Sequence, residues 1–302
     1  MHKVFNYGFI PAGLLALTIG AAQAATITTV DGTADAGLSL TNTLLGASSG
    51  LSLVAGSTSF AGAATQSGTY SGFNLTSTDA GEPTLALDDG ILLTSGSAAI
   101  PTSNTEAGFG TNNGLAGHAP TDAALSGFPQ FGGTNDANVL SFKVTRDDAA
   151  TTSVSTQFVF GSEEFPEFPS FVDSFTFFVD GVNYALFPNG DPLVQQGGTQ
   201  NFFNDNGNGS YGIEYDGLTN VLTVTGLFDL ALAEHTIDIV VADDDDFILD
   251  SGVFLASLSA GTDTGGGITP TPTPVVPLPA GLPLLLAGLG GLGLMRHRQK
   301  LT

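Results

Sequence analysis

The chain has 302 residues, with 29 acidic against six basic, 41 glycines, and neither cysteine nor tryptophan. All the acidic residues fall between Asp31 and Asp263, where Lys143 and Arg146 are the sole bases, so binding to nucleic acid or to bare anionic lipid is excluded. Without cysteine there is no disulfide, thiolate metal site or cysteine nucleophile, and a packed core must supply the stability.

The N-terminus has the layout of a secretory signal peptide. His2 and Lys3 lead into the apolar run Gly13–Ile19, and Ala22-Gln23-Ala24 is the small-x-small pattern that signal peptidase accepts. Residues 1–24 are therefore expected to form a signal peptide helix, with cleavage between Ala24 and Ala25. The exported domain is expected over 25–262, long enough for one large all-β unit. From Ala25 to about Gly72, small polar and apolar residues alternate weakly, which suggests short strands. "GILLTSG" (Gly90–Gly96) reads as a short buried strand ending in a turn. Ala98 to Asp136 is rich in Gly, Asn and Pro and reads as a long surface excursion.

Strand signals then sharpen. "ANVLSFKVT" places Leu140, Phe142 and Val144 in one phase, and "TSVSTQFVF" does the same with Val154, Thr156, Phe158 and Phe160. In "DSFTFFVDGVNYALF", Asp180-Gly181 is a two-residue type I′ turn signal that sets Phe175, Phe177, Val179, Val182, Tyr184 and Leu186 on one face. "NVLTVTG", "HTIDIVVA" and "GVFLASLS" add three strands, with His235 expected to be packed or hydrogen-bonded. Many short strands separated by Gly/Asp/Asn turns point to an all-β fold, a β-sandwich of jelly-roll type.

Residues 263–275 form a Gly/Thr/Pro-rich linker, expected to be an extended spacer. Leu278–Met295 is uncharged, and eighteen helical residues reach about 27 Å, enough for a thin hydrocarbon core. Arg296, His297, Arg298 and Lys300 follow, a positive flank that stays cytoplasmic while the bulk of the chain is exported. Val276-Pro277-Leu278-Pro279-Ala280, the Leu/Gly helix and the terminal basic cluster resemble the VPLPA variant of PEP-CTERM sorting tails. That resemblance makes 276–302 a transmembrane sorting tail, recognised by an exosortase in the inner membrane of a Gram-negative bacterium. The protein would be anchored during sorting and then released to the cell surface or outside. Leu278 departs from the better-known form, which has Glu there.

Two acidic groups stand out. Asp243, Asp244, Asp245 and Asp246, with Asp250, follow the strand that ends at Val241, and adjacent like charges need a counter-cation. With two bases in the domain, calcium is the candidate, and a solvated acidic loop is the alternative. Glu163, Glu164 and Glu167 with Asp173 form the second group. Two carboxylates a few Å apart would suffice for a glycan hydrolase, but aromatic sugar platforms made of Trp are missing. Asn204, Asn206, Asn208 and Gly209 loosely mimic the front of a calcium loop, with Tyr215 where the final Glu belongs. Gly46-Ala47-Ser48-Ser49-Gly50 matches a nucleophile elbow by chance, in Ser/Gly-rich sequence with no strand–turn–helix around it.

Three stretches carry a likeness across roughly Leu38–Ala260. They are "GILLTSG" with "TNDANVLSFKV", then "FVFGSEEFPEFPSFVDSFTFFVDG", then "EYDGLTNVLTV" with "VADDDDFILDSGVFL". Together they resemble the choice-of-anchor L domain of bacterial surface proteins, a family with varied sorting tails and no established enzymatic activity. The expectation is therefore a non-catalytic cell-surface or matrix protein, adhesin-like and calcium-stabilised. Its partners would be signal peptidase, an exosortase and exopolysaccharide or surface glycans. A secreted glycan hydrolase is the alternative.

Overall fold

The computed structural model describes residues 25–105, 108–129, 131–166, 168, 171, 173–193 and 202–271. The expected signal peptide, the sorting tail and Glu167 lie outside those residues, and no described helix is long and apolar enough to cross a membrane. The elements begin with β1 (Thr26–Thr29), α1 (Ala34–Leu45), β2 (Leu51–Leu53), β3 (Ser59–Ala61), β4 (Ser67–Ser71), β5 (Asn74–Leu75), β6 (Leu85–Ala86) and β7 (Gly90–Thr94). Next come α2 (Ala119–Leu125), β8 (Thr134–Arg146), β9 (Ser153–Ser162), β10 (Ser174–Val179), β11 (Val182–Asn183) and β12 (Phe203–Asp205). The last are β13 (Gly217–Thr219), β14 (Leu222–Leu227), β15 (His235–Asp244), β16 (Ser251–Ala256), β17 (Ser259–Gly261) and β18 (Gly267–Pro270).

The strands pair antiparallel in two main sheets. One runs β1-β4-β7-β16-β9-β13-β12, with β14 and β17 also on β9 and β18 on β14. The other runs β11-β10-β15-β8-β2, with β3 also on β8. Alternation explains how they pack. Phe158 and Phe160 of β9, Ile91 and Leu93 of β7, and Val253 and Leu255 of β16 face Leu140, Phe142, Phe175, Phe177, Ile237 and Ile239 in one buried core. The intervening Leu92, Val159 and Phe254 point the other way, into a second core with Tyr70, Phe73, Leu75 and Leu85 beside the small β5–β6 hairpin. Being buried on both faces is why "GILLT" and "SGVFLA" carry little polar alternation.

The Asp180-Gly181 turn forms as the alternation predicts, with φ of 51° and 80° and Val179 opposite Val182. The return strand is shorter than expected because the Asn183 side chain intrudes on the ladder, accepting from the N–H groups of Phe177 and Ala185. Val182 is consequently exposed, while Phe175, Phe177 and Val179 are buried. Asp180 also ties this hairpin to the start of β15. Its carboxylate accepts from Thr236 N and Asp229 N, both at 2.9 Å, and meets His235 Nδ1 at 2.8 Å. The His235 ring, fully buried, packs against Phe228 at a tilt of 34°, with centroids 4.3 Å apart. Asp180→Ala removes all three contacts and should cost about 3 kcal/mol in chemical denaturation; a loss below about 1 kcal/mol would contradict this role.

Two expectations change. Strands were expected across residues 25–72, but Ala34–Leu45 is a helix, α1. Thr33 caps it through Ala36 N, Asp35 sits in its first turn, and Leu40 and Leu44 bury the four-residue stripe against the core. The linker read from residue 263 also starts later than expected. Ile268 is buried, and β18 pairs with β14 from Gly267↔Thr225 to Pro270↔Leu222.

Candidate functional site

At one end of the sandwich the inward phase of the central strands changes from apolar to oxygen-bearing. On one sheet, Ile91 and Leu93 are followed by Ser95, Phe158 and Phe160 by Ser162, and Val253 and Leu255 are preceded by Ser251. Residue pairing puts Ser251 opposite Ser162, and Gly252↔Thr94 brings Ser95 to the same level. On the other sheet, Asp173 precedes Phe175 and Phe177, Asp243 follows Ile239 and Val241, and Asp136 and Asn138 precede Leu140 and Phe142. Ser174↔Ala242 and Asp243↔Asn135 align them, with a bulge between Val241 and Asp243. All seven of these residues are buried.

Most of the surrounding carboxylates hold the Ala98–Asp136 excursion by its backbone N–H groups. Asp250 accepts from Ser97 N at 3.0 Å and Thr111 N at 2.8 Å, and Glu163 accepts from Phe109 N at 3.2 Å. Asp136 accepts from Asn113 N and Leu115 N, and Asp244 from Gly132 N and Gly133 N. Glu214 takes Thr105 N, and Asp122 takes Thr134 N and its hydroxyl. Charge-assisted bonds of this kind offset the desolvation of a buried carboxylate and order a glycine-rich segment that has little core of its own. Part of the excursion is helical (α2), and Ala98, Ile100, Phe109, Thr121 and Leu125 are buried, so it is more than surface loop.

Burial still weighs on these groups. Desolvation, then the nearby charge of Asp216, pushes the Glu163 carboxyl up to about 8. Desolvation raises Asp250 to about 6 against the pull of its two N–H donors. Asp173 and Asp243 are raised well above the ordinary carboxylate range, first by burial, with Asp173 and Asp250 adding to the effect on Asp243. The Tyr215 phenol, packed on Gly161 and Gly252, is raised by burial and then by Asp250, Glu163, Asp173 and Asp243. No base is near. Lys143 and Arg146 lie seven and ten residues along β8 from Asp136, about 23 and 33 Å away at strand rise.

The structure breaks up the expected aspartate group. β15 continues through Asp244, so Asp243 and Asp244 are buried strand residues rather than members of a turn. They point to opposite sides, Asp243 into the sandwich end and Asp244 toward Gly132 and Gly133. Asp245, at φ 66°, is exposed; Asp246 accepts from Ile248 N; Asp250 clasps the excursion. Among the described residues no three Asp, Glu or His side chains are gathered to hold a metal ion. Glu163 and Glu164 are enclosed, at 2% and 0% exposure. Asn206, the centre of the calcium-loop mimic, is consumed internally. Its side chain bonds Ile213 O, Tyr215 O and Tyr211 N.

Asp136, Asp122, Glu214 and Asp216 were not among the candidates, since no run of acids flags them. One signal was available for Asp136, which shares the inward phase of Leu140, Phe142 and Val144.

Fold and site together define a β-sandwich scaffold whose long glycine-rich excursion is secured by buried carboxylates. The choice-of-anchor L domain matches residues 30–261, and the chain belongs to that family, one of surface-associated bacterial proteins. No curated protein and no solved structure is matched.

Proposed function

We propose that the protein is a non-catalytic component of the cell surface or extracellular matrix, an adhesin-like module associated with exopolysaccharide. The observation that carries this reading is the use of the acidic blocks. Glu163, Asp244 and Asp250 accept backbone N–H groups inside the domain rather than facing a cleft. A glycosidase needs two carboxylates open to a sugar ring, and Glu163 and Glu164 are closed off from solvent. The rigid sandwich instead presents the exposed parts of the excursion, such as Gly110, Asn112 and Gly114, as a recognition surface. Purified chain should co-sediment with exopolysaccharide from its own cells and release no new reducing ends. Hydrolysis that disappears in Glu163→Gln or Glu164→Gln would establish the enzyme instead.

Delivery to that surface is assigned to the two termini, by the order of their residues. Signal peptidase would cut after Ala24, and an exosortase-type enzyme of a Gram-negative inner membrane would act on the tail from Val276. Replacing Arg296, Arg298 and Lys300 by Gln should weaken membrane retention and processing, because positive flanks fix orientation. Pulse-chase fractionation measures this; surface arrival at an unchanged rate would contradict the sorting role.

A further inference from the structure

The carboxylates that hold the excursion have backbone donors, but one neighbouring pair is poorly supplied. Neither oxygen of Asp243 has a hydrogen-bond partner, although the residue is fully buried. Asp173, also fully buried, accepts from Asp244 N at 3.3 Å through Oδ1, while Oδ2 has no partner. The hydroxyls of Ser95 and Ser251 approach these carboxyls closely enough to temper their charge, but not in hydrogen-bonding geometry. The two acids sit across β10 and β15, one step beyond the Ser174↔Ala242 pair, and face the serine level of the other sheet.

An isolated buried carboxylate is costly unless it is paired, and among the described residues the nearest lysine or arginine, Lys143, is more than about 20 Å away along the strands. Water could serve one oxygen, but three carboxylate oxygens beside hydroxyls form a set of acceptors with few donors. The donor set is entirely oxygen, with no imidazole or thiol, and two negative charges match one divalent charge. Hard cations of calcium's size accept such a mixture of carboxylate, hydroxyl, carbonyl and water oxygens at about 2.3–2.6 Å.

We infer that Asp173 and Asp243 hold one calcium-sized divalent cation at the end of the sandwich, joining its two sheets. The site differs from a run of adjacent aspartates. It takes one member of the Asp243–Asp246 sequence and recruits its partner from the residue just before β10, some seventy residues earlier. Two carboxylates suffice because serine hydroxyls and water can complete the shell. The inference stands independently of the exopolysaccharide reading.

The test uses the purified full chain, stripped with EDTA and titrated with calcium, then with terbium. Calcium should raise the melting temperature by about 5 °C or more, reversibly, and beyond what sodium gives at equal ionic strength. Terbium should show luminescence excited through tyrosine. Tyr215 is the phenol whose charge environment includes both acids, and the chain has no tryptophan. Tyr215→Phe should lose most of that emission while keeping the calcium-induced shift. Asp243→Asn and Asp173→Asn, which keep side-chain shape, should each weaken calcium at least tenfold, whereas exposed Asp148→Asn should not. If either variant fails to fold, the titrations of wild type and Tyr215→Phe still decide. A melting curve indifferent to calcium would overturn the inference, as would a calcium shift undiminished in both variants.

Discussion

Gly96→Ala should lower the melting temperature by about 10 °C or more, among the largest effects of any single methyl group in this domain. A Cβ at residue 96 would lie 1.7 Å from Asp250 Oδ2 and 1.9 Å from Oδ1, far inside contact distance. The carboxylate cannot simply swing away. It is fully buried and held by Ser97 N and Thr111 N, and Glu163 N binds the Asp250 carbonyl at 3.2 Å. Displacing it leaves two backbone donors of the excursion unsatisfied, each costing about 1–3 kcal/mol, on top of the steric cost. A double-mutant cycle identifies the cause. Asp250→Ala alone should also destabilise the domain, but Gly96→Ala added to it should cost less than about 1 kcal/mol more, because the clash has gone. Additive losses would show that Gly96 matters for another reason.

Without divalent cations, the domain should become less stable as pH rises from about 5 to 8.5. Glu163 is raised to about 8 and Asp250 to about 6 in the folded chain, against ordinary carboxylates in the unfolded one. Between those limits the folded state holds protons that the unfolded state has released, so stability is full below about pH 4.5 and is lost as each folded group ionises. Melting in EDTA should therefore fall by about 5 °C or more across the window, most steeply below about pH 6 where both groups contribute, with the limb from about pH 6 to 8 belonging to Glu163. Glu163→Gln still accepts from Phe109 N and should flatten that upper limb. A wild-type melting temperature that rises toward pH 8.5 would reverse the sign and refute the burial of these groups.

Strand period was the most legible part of the chain. Leu140/Phe142/Val144 and Phe175/Phe177/Val179 announced their buried face, and the φ-positive Asp180-Gly181 pair announced its turn. α1 was obscured because Ala, Gly, Ser and Thr dominate it, yet its Thr33 cap and Leu40–Leu44 spacing were available. The candidate site was only half legible. Reading Asp243–Asp246 as one cluster ignored that a strand sends neighbours to opposite faces, and β15 runs two residues into the cluster. Asp173 and Asp243 extend the inward phases of Phe175/Phe177 and Ile239/Val241, so polar residues in an apolar phase were the better signal. The N–H groups that Asp136, Asp244 and Asp250 accept come from an excursion whose path no local pattern dictates.

Carbodiimide footprinting of carboxyl groups, read residue by residue by mass spectrometry, bears most directly on the claim that these acids form an enclosed end to the sandwich. Asp173, Asp243, Asp250 and Glu163 should be protected in the folded chain, and exposed Asp79, Asp148 and Asp229 should label readily. Protection should vanish on denaturation. Labelling of Asp243 and Asp250 as fast as Asp148 in the native state would mean that the aspartate run is a solvated loop, and the account would fail.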